Sequence, residues 1–430
     1  MKSLSLKSTI LLFVLLITSV IQGQIASNDY KTYTKDGAWC WFSDPRAIYF
    51  ENNFKRSYIG SVTSDGDIKI GYFDHESGNT FEKIIYPDFQ IDDHVNPSLL
   101  FLPDGRLMAF FTGHNGGFYY AKTKEPENIS EWEKITKLDL GDRLCYTNPV
   151  MLSGEDNRIY VFSRSGFDWK PSFIYSDDFG KTWSKSQSFV NKPEANIDNR
   201  PYTKVLSDGK NRIWFAITDG HPRDEPLNSI YVFYYEKGKY YKPDGSLIGK
   251  MTDMPFDQTR IAKAYDGAET RVRSWIWDIA LDEKGKPVIV YTRLKEETQH
   301  RYFYARWDGQ KWLHSFVAEA GKDFPRAERT KSQRNPEPHY SGGIIIDHEN
   351  TDVVYYSAPV GDTFEIFRAT LSEGEWAKTQ VTQNSRRDNV RPFVVRNSPE
   401  NVTPRLLWMS NIFYQHYTNY FSRIKMNIKK

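Results

Sequence analysis

Two histidines, a tyrosine and an arginine are the residues of this chain whose types and spacing best fit a chemical reaction. His94 and His114 lie in two polar segments, and Tyr146 and Arg164 follow within the next 50 residues. A neutral imidazole can accept a proton near neutral pH, a phenol can donate one, and a guanidinium binds a carboxylate through two parallel hydrogen bonds. These groups suit removal of the proton next to the carboxylate of a uronate, with expulsion of the C4 oxygen by β-elimination. We therefore predict that these four residues are catalytic.

The predicted roles follow from the chemistry of each group. Arg164, assisted by His114, is expected to neutralise the uronate carboxylate. His94 or Tyr146 is expected to abstract the C5 proton, and Tyr146 is the favoured acid toward the leaving oxygen.

A second set of polar and aromatic residues is predicted to bind the substrate around these four. Strand-end polar residues often only cap loops, but titratable groups of complementary type that converge on one place indicate a functional site. Four of the nine histidines of the chain fall in the combined group. Arg293 is a further candidate for holding an anionic group. The predicted substrate-binding residues are Asn96, Arg200, Tyr202, His221, His339 and Tyr340.

The elements that must position these residues form a sevenfold repeat. Each repeat has an apolar segment, a polar turn, a second apolar strand, a short break and a third, aromatic-rich strand. Helical periodicity is nowhere sustained, and no linker divides the chain. The second strands start roughly 50 to 75 residues apart, the period of propeller blades, at Arg56, Arg106, Arg158, Arg212, Pro287, Val353 and Arg405. We predict an all-β protein, a single seven-bladed β-propeller over residues 25–430.

The topology of an antiparallel blade predicts where the candidate residues meet. The start of the innermost strand and the end of the second strand lie at the same face of a blade. Loops at one face of a propeller converge on the central channel, where a ligand can bind. His94 and Tyr146 stand where innermost strands begin, and His114 and Arg164 stand where second strands end. We therefore expect a single site at this mouth of the channel.

One turn of the third repeat carries a full Asp box. Ser176–Trp183 reads Ser-x-Asp-x-Gly-x-x-Trp, and degenerate versions end other repeats, as at Trp307–Trp312. Its Asp and Gly suit a tight turn between outer strands, with the Trp packed beneath. We interpret the box as a hairpin staple of a sialidase-like propeller, without a catalytic role.

Residues 1–24 are predicted to be a signal peptide. Lys2 and Lys7 precede an apolar run over residues 10–20 that is too short to span a bilayer, and Gly23 suits a cleavage point. We expect a secreted or periplasmic protein that does not insert into the membrane. Two cysteines, Cys40 and Cys145, could pair in an exported protein, and the sequence leaves this open.

The charge balance limits the partners. The full chain has 57 basic and 55 acidic residues, and the predicted signal peptide removes two of the lysines. A mature chain so close to neutrality argues against nucleic acid as a partner. An anionic ligand must then be bound by a local cluster of cations.

Other chemistries fit the residues less well. A glycoside hydrolase needs two carboxyl groups flanking one bond, and Asp92 and Asp93, if adjacent on a strand, would point to opposite sides. A sialidase-like site needs three arginines and a Tyr–Glu pair, and no Glu stands beside a tyrosine of the predicted mouth. A propeller that only binds carbohydrate would explain the aromatic residues, but it would not need paired histidines beside a tyrosine and an arginine. Elimination is favoured, with hydrolysis and binding alone left open.

Several segments resemble BNR-repeat proteins of the seven-bladed propeller polysaccharide lyase type, such as ulvan lyases and rhamnose–glucuronate lyases. The resemblance covers nearly the whole mature chain and is carried by Asp36–Ile48, the segments around His94 and His114, Tyr146–Pro149, Thr218–Pro222 and Tyr340–Gly343. In that family two histidines, a tyrosine and an arginine form the site, which matches the four catalytic candidates. The resemblance implies an anionic polysaccharide substrate, cleaved between rhamnose and C4 of glucuronate to leave an unsaturated uronate. Because ulvan is sulfated, Arg200 and Arg293 are expected to hold further anionic groups.

The resemblance leaves two related activities open. A dehydratase that removes water from a terminal glucuronate of ulvan oligosaccharides would use the same elimination with hydroxide as the leaving group. A related rhamnosidase works from the opposite face with a histidine near the segment corresponding to Asp44–Tyr49, where this sequence has none. No cofactor is required for the chemistry. Some members of the family bind a structural zinc or calcium ion; His221, His339 and Cys145 could serve as ligands, but their spacing matches no standard zinc pattern.

Overall fold

Seven antiparallel sheets are arranged around a central channel. The structure, a computed structural model, describes residues 30–166, 169–191, 200–296, 298–322 and 340–429. The predicted signal peptide and His339 lie outside these ranges. The predicted seven-bladed, all-β fold is confirmed.

The blades follow the chain order, and the strands of each blade run from the innermost outward. The first three are Ala47–Glu51, Lys55–Val62, Ile68–Asp74, Thr80–Tyr86; Ser98–Phe101, Leu107–Thr112, Phe118–Lys122, Thr136–Leu138; and Cys145–Leu152, Arg158–Ser165, Lys170–Ser176, Gln187–Ser188. The fourth is Thr203–Ser207, Arg212–Thr218, Ile230–Glu236, Lys239–Tyr241, Leu247–Lys250, with Ala262–Tyr265 also paired to its third strand. The last three are Arg273–Leu281, Pro287–Glu296, Gln299–Trp307, Trp312–Glu319; Ile344–Ile346, Val353–Val360, Thr363–Ser372, Glu375–Gln380; and Asn389–Val394, Leu406–His416, Asn419–Lys429, Tyr30–Thr34.

Short elements connect the blades. Val190–Asn191 and Phe256–Asp257 form a small parallel pair. Single helical turns occupy Asp93–Val95, Ser153–Glu155, Met251–Asp253, Gln258–Arg260 and Gly267–Thr270. No helix among the described residues is long and apolar enough to cross a membrane.

The burial pattern of each blade follows from its place between two neighbours. Leu107–Thr112, a second strand, is buried at every position, because both faces of its sheet are covered by adjacent blades. Thr80–Tyr86, at an outer edge, is exposed or half-buried throughout. Branched and aromatic residues suit such packed, pleated surfaces, which explains the aromatic-rich phrases of the sequence.

The fourth blade explains the uneven spacing of the repeats. Its extra strands, Lys239–Tyr241, Leu247–Lys250 and Ala262–Tyr265, lie between Arg212 and Pro287, the longest interval in the sequence pattern. The sevenfold count therefore holds although one blade is larger than the rest.

The seventh blade joins the two ends of the described chain. Tyr30–Thr34 forms its outermost strand and pairs antiparallel with Asn419–Lys429. The hydroxyl of Tyr30 also donates a 2.9 Å hydrogen bond to the carbonyl of Val381. The ring is thus closed by hydrogen bonds between strands from opposite ends of the sequence.

The Asp box forms the hairpin turn that its sequence predicts. The carboxylate of Asp178 accepts hydrogen bonds from the backbone N–H of Thr182 at 2.8 Å and from its hydroxyl at 2.6 Å. These bonds lower the pKa of Asp178 to about 2. The Trp183 ring packs edge-on against Phe110 of the second blade, with centroids 5.9 Å apart. The box therefore fastens one blade to the next.

Candidate active site

A cavity of about 150 Å³ opens at the predicted mouth of the channel. Its lining comes from the starts of innermost strands and the ends of second strands, as the blade topology predicts. Trp41, Phe42 and Trp275 give it an aromatic lining, and Trp41 stacks on Trp277 with ring centroids 4.2 Å apart. The four predicted catalytic residues all line this cavity.

The two histidines form a pair held by one carboxylate. Their rings are stacked, 4.4 Å between centroids and 11° from parallel. Asp92 accepts from Nδ1 of His94 at 2.8 Å through one oxygen and from Nδ1 of His114 at 2.7 Å through the other. Within the described residues both rings bond only through Nδ1, which leaves each Nε2 available to a ligand. The pair therefore presents two aligned nitrogen atoms to the cavity.

The backbone around Asp92 differs from the predicted strand. Asp93–Val95 is a single 3-10 turn, and Asp92 caps it by accepting from the N–H of His94 at 2.9 Å. The prediction that Asp92 and Asp93 point to opposite sides of a strand is wrong. Because the chain turns at this point, both carboxylates contact His94, with Asp93 at 3.0 Å from its Nδ1.

These carboxylates control the charge of His94. Burial alone would lower the pKa of its imidazole, but Cys40, Asp92 and Asp93 outweigh burial and hold that pKa well above its ordinary value. Burial opposes the charge of Asp92 too, yet the two histidines keep the pKa of this carboxyl well below its usual range. The shift favours the protonated form of His94, next to a carboxylate.

A second layer fixes Asp93 from behind. Arg391, which is 1% exposed, donates to its carboxylate at 2.5 Å, and the hydroxyl of Tyr414 donates to the same oxygen. Arg391 also donates to the carbonyl of Trp39 at 2.7 Å. The turn that carries His94 is thereby tied to the first and seventh blades.

Tyr146 stands in a strained backbone conformation beside the pair. Its φ is 65°, in the left-handed region that a residue with a side chain rarely adopts, and the strand ladder is irregular between Cys145 and Asn148. The hydroxyl of Tyr146 forms no hydrogen bond with any described residue, although the residue is only 4% exposed. Burial, followed by the neighbouring Tyr202, raises the pKa of this phenol well above its ordinary value. Tyr146 is therefore a neutral phenol with its O–H available for proton donation.

Arg164 is a buried cation without an acidic partner among the described residues. Its side chain is 5% exposed and lies against the Tyr202 ring, 3.8 Å from the centroid. One terminal nitrogen donates to the carbonyl of Arg200 at 3.2 Å, and Nε is buried without a partner among the described residues. No carboxylate of the described chain lies within 4 Å of it. A buried guanidinium is normally paired, so Arg164 indicates a site for a ligand's anion.

Most of the predicted substrate-binding residues surround this centre. Arg200, Tyr202, His221 and Tyr340 all line the cavity. Arg200 lies over Trp169, with its guanidinium carbon 4.2 Å from the ring centroid.

Two of the residues predicted to bind ligand do not line the cavity. Asn96 is 1% exposed and does not reach the cavity, because its amide accepts from the N–H of Cys40 at 2.9 Å and donates to the carbonyl of Ser43. It shapes the loop that carries Trp41. Arg293 lies outside the cavity, 3.7 Å over the Phe303 ring and bonded to the hydroxyl of Tyr291 at 2.8 Å.

Sequence reasoning missed several residues of the lining, and three of them are aromatic residues close to the predicted set. Tyr417 covers the histidine pair, with its ring centroid 4.6 Å from that of His94 and 5.4 Å from that of His114. Trp169 and Trp275 are the others. Tyr417 directly follows a second strand, so the strand-end rule would have found it had it been applied to the seventh blade. Trp169 follows the end of a second strand in the third blade in the same way.

The two cysteines are not paired with each other, and the residues considered as metal ligands do not form a metal-binding group within the described chain. Cys40 and Cys145 are both buried free thiols that line the cavity. Asp92, His94 and His114 are the group of described residues whose donor atoms lie close enough to hold a metal ion, and His221 and Cys145 are outside it. The three donors already satisfy one another by hydrogen bonds. They therefore form one hydrogen-bonded unit.

A second cavity, of about 440 Å³, opens at the opposite end of the channel. Asp44 lines it together with Asp278, His348 and Arg396. Although no histidine lies near Asp44 in the sequence, His348 reaches this face from the sixth blade. Its Nε2 lies 3.0 Å from Asp278, and burial, followed by Arg396, lowers its pKa.

Fold and site together define a seven-bladed propeller with a small charged cavity at one mouth, of the kind that binds anionic ligands. The model of the BNR repeat-containing family matches residues 56–320, and the chain belongs to this family. An ulvan lyase from Nonlabens ulvanivorans is 26% identical over 272 residues, which are 53% of this chain and 55% of that protein. The chain thus aligns with about half the length of this curated relative.

Solved structures share the fold over almost the whole chain. A PL25 ulvan lyase bound to -[GlcA(1-4)Rha3S]- superposes with a TM-score of 0.67 at 15% identity, covering 93% of this chain and 95% of that one. The polysaccharide lyase Uly1 superposes with a TM-score of 0.58 at 11% identity, covering 94% and 98%.

Proposed function

We propose that this protein is a polysaccharide lyase that cleaves ulvan, or a related glucuronorhamnan, between rhamnose and C4 of glucuronate by β-elimination. The observation that carries the proposal is the buried Arg164, which contacts no carboxylate in the described part of the chain, beside the available hydroxyl of Tyr146 and the paired histidines. A ligand carboxylate would supply the anion that Arg164 lacks. The similarity to ulvan lyases supports the choice of polymer.

The charges of the site assign the steps. Arg164 and the imidazolium of His94 neutralise the uronate carboxylate, which makes the C5 proton removable and stabilises the enolate-like intermediate. The raised pKa of His94 favours its protonated form, and a neutral phenol cannot accept a proton, so the base is Nε2 of His114. Tyr146 donates its proton to the departing C4 oxygen. The two histidines thus exchange the roles expected from the sequence, because the carboxylates around His94 keep it charged.

Hydrolysis is disfavoured by the acids that are available. Among the described residues lining the cavity, Asp224 is the one carboxylate, and Arg223 pairs with it at 3.1 Å. A retaining or inverting hydrolase needs two. Removal of water from a terminal glucuronate would use the same groups as chain cleavage, and it is the second candidate.

The test is incubation of the purified mature protein with ulvan and with its oligosaccharides. We expect ultraviolet absorbance from the C4–C5 unsaturated uronate together with shorter products. Absorbance with loss of water alone would identify a dehydratase. Release of sugar without absorbance would identify a hydrolase, and the roles of Arg164 and Tyr146 would fall.

We also propose that residues 1–24 direct export and are removed. The charged start and the short apolar run support this. N-terminal sequencing of the protein secreted by its host should begin near residue 25, and an intact Met1 would refute the proposal.

A further inference from the structure

A cationic groove, distinct from the catalytic cavity, crosses the seventh blade. Its volume is about 670 Å³, and its cations are Arg386, Arg387, Arg423 and Lys425. Every other residue lining it is an asparagine or a serine. It shares no lining residue with the catalytic cavity. Since Asn389, which begins an innermost strand, lines it, the groove belongs to the mouth face of the propeller.

The three arginines of the groove are not neutralised by the described part of the protein. Among the described residues no carboxylate lies within 4 Å of the guanidinium of Arg386, Arg387 or Arg423. Nε of Arg423 is buried without a hydrogen-bond partner there. The chain as a whole carries a formal charge of only +2, so four cations around one groove are a local concentration.

The loop that presents two of these arginines is held from inside by one acid. Glu365, 2% exposed, accepts from the N–H and the hydroxyl of Ser385 at 2.7 and 2.8 Å. It also accepts from the hydroxyl of Thr382 at 2.5 Å and from the side-chain amide of Asn389 at 3.3 Å. The carboxylate is thus occupied by the loop and does not reach the arginines. The loop is fixed with its cations outward before any ligand binds.

We propose that this groove is a second binding site for the anionic polysaccharide, which takes its sulfate and carboxylate groups away from the reacting bond. Guanidinium groups bind both kinds of anion through paired hydrogen bonds. The identity of the polymer rests on the proposed function, whereas the anionic character of the ligand follows from the groove itself.

The position of the groove sets the length of ligand that it recognises. Tyr417, which covers the catalytic histidines, lies in the turn before the strand Asn419–Lys429, and Arg423 lies on that strand, so the Cα atoms of the two residues are at most about 20 Å apart. A chain of several sugars can reach from the cavity to the groove, and a short oligosaccharide cannot. The groove therefore contributes to binding of polymer and not to the chemical step.

The test compares polymer with a short substrate in the variant Arg386→Gln/Arg387→Gln. Loss of two exposed cations should raise KM for ulvan about fivefold. It should leave kcat, and both constants for a rhamnose–glucuronate disaccharide, unchanged. The matched control is Lys83→Gln/Lys239→Gln, which removes two exposed lysines on other blades and should leave every constant as in the wild type. Circular dichroism melts check that both variants are folded.

Affinity electrophoresis in gels that contain ulvan, desulfated ulvan or heparin provides a readout independent of turnover. Ulvan should retard the wild type more than the arginine variant. Desulfation of the ulvan should reduce this difference in retardation between the two proteins. Equal retardation of both proteins by ulvan, or an equal rise in KM for polymer and disaccharide, would overturn the proposal. Because this assay needs no catalysis, it still tests the groove if the wild type proves not to be a lyase. Stronger discrimination by heparin than by ulvan would show that the groove serves another polyanion, and it too would overturn the proposal.

Discussion

Replacement of Arg164 by methionine should separate catalysis from stability. Methionine keeps much of the length and the apolar stem of the side chain while removing a guanidinium that is 5% exposed and has no carboxylate partner among the described residues. Loss of the group that neutralises the substrate carboxylate should cost about 3 to 4 kcal/mol of transition-state stabilisation, about 10²- to 10³-fold in kcat/KM.

The same change should not destabilise the protein. It forfeits one hydrogen bond to the carbonyl of Arg200, worth about 1 kcal/mol, but it also removes an uncompensated buried charge. We expect the free energy of unfolding to stay within about 1 kcal/mol of the wild-type value or to rise.

A paired arginine provides the matched control. Arg396 contacts Asp278 at 3.0 Å on the opposite face, and Asp278 is 2% exposed. Arg396→Met leaves that carboxylate with His348 and the N–H of Ile346 as its partners among the described residues, and should lower the free energy of unfolding by about 1 to 3 kcal/mol while sparing activity. The assays are the initial rate of ultraviolet absorbance on ulvan and denaturant-induced unfolding. An Arg164→Met protein that keeps wild-type activity, or that loses stability as Arg396→Met does, would refute the reasoning.

Three further predictions concern other parts of the molecule. Tyr146→Phe should lower kcat at least about 10²-fold with little change in the unfolding midpoint, because the lost hydroxyl bonds no described residue; near-normal kcat would exclude it as the acid. Asp92→Asn should move the alkaline limb of the pH–rate profile to lower pH, because the carboxylate helps to raise the pKa of His94. The raised pKa of His94 stabilises the folded protein fully below about pH 6.5, and this stabilisation is lost as the pH rises through the folded-state pKa. The difference in the free energy of unfolding between the wild type and Asp92→Asn should therefore be largest near pH 6 and should shrink above it. A difference that does not change with pH would contradict this. Asp178→Ala in the Asp box should cost about 1 to 2 kcal/mol of stability without changing turnover per folded molecule, as measured by thermal unfolding and active-fraction kinetics.

The blades could be predicted from the sequence because their pattern is local and repeated. Apolar second strands such as Arg158–Ser165 are buried on both faces, and burial leaves a continuous apolar signature that turns then interrupt. The mouth of the channel followed from strand direction alone, without any side-chain geometry. Those two inferences brought His94, His114, Tyr146 and Arg164 to one cavity.

The charge relations within the site could not be predicted in the same way. The role of Asp92 depends on a 3-10 turn of three residues, too short to leave a periodic signal. The placement of Asn96 depends on which neighbouring loop its amide meets, a contact across 56 residues of sequence. The protonation of His94 depends on that turn, together with Cys40, and is a property of packing rather than of composition.

The closure of the ring has a consequence for how the candidate site is assembled. The cavity straddles the seam where the first and last strands meet, since Trp41 follows the strand Tyr30–Thr34 and Tyr417 sits in the terminal hairpin. The reactive cluster is therefore assembled only when the seam closes, and a chain truncated before its last hairpin would lack the cover over the histidines. A polysaccharide that contacts both Trp41 and Tyr417 would in turn hold the two sides of the seam together. Bound ligand should slow the opening of the ring, so the unfolding rate should be lowest while the cavity is occupied.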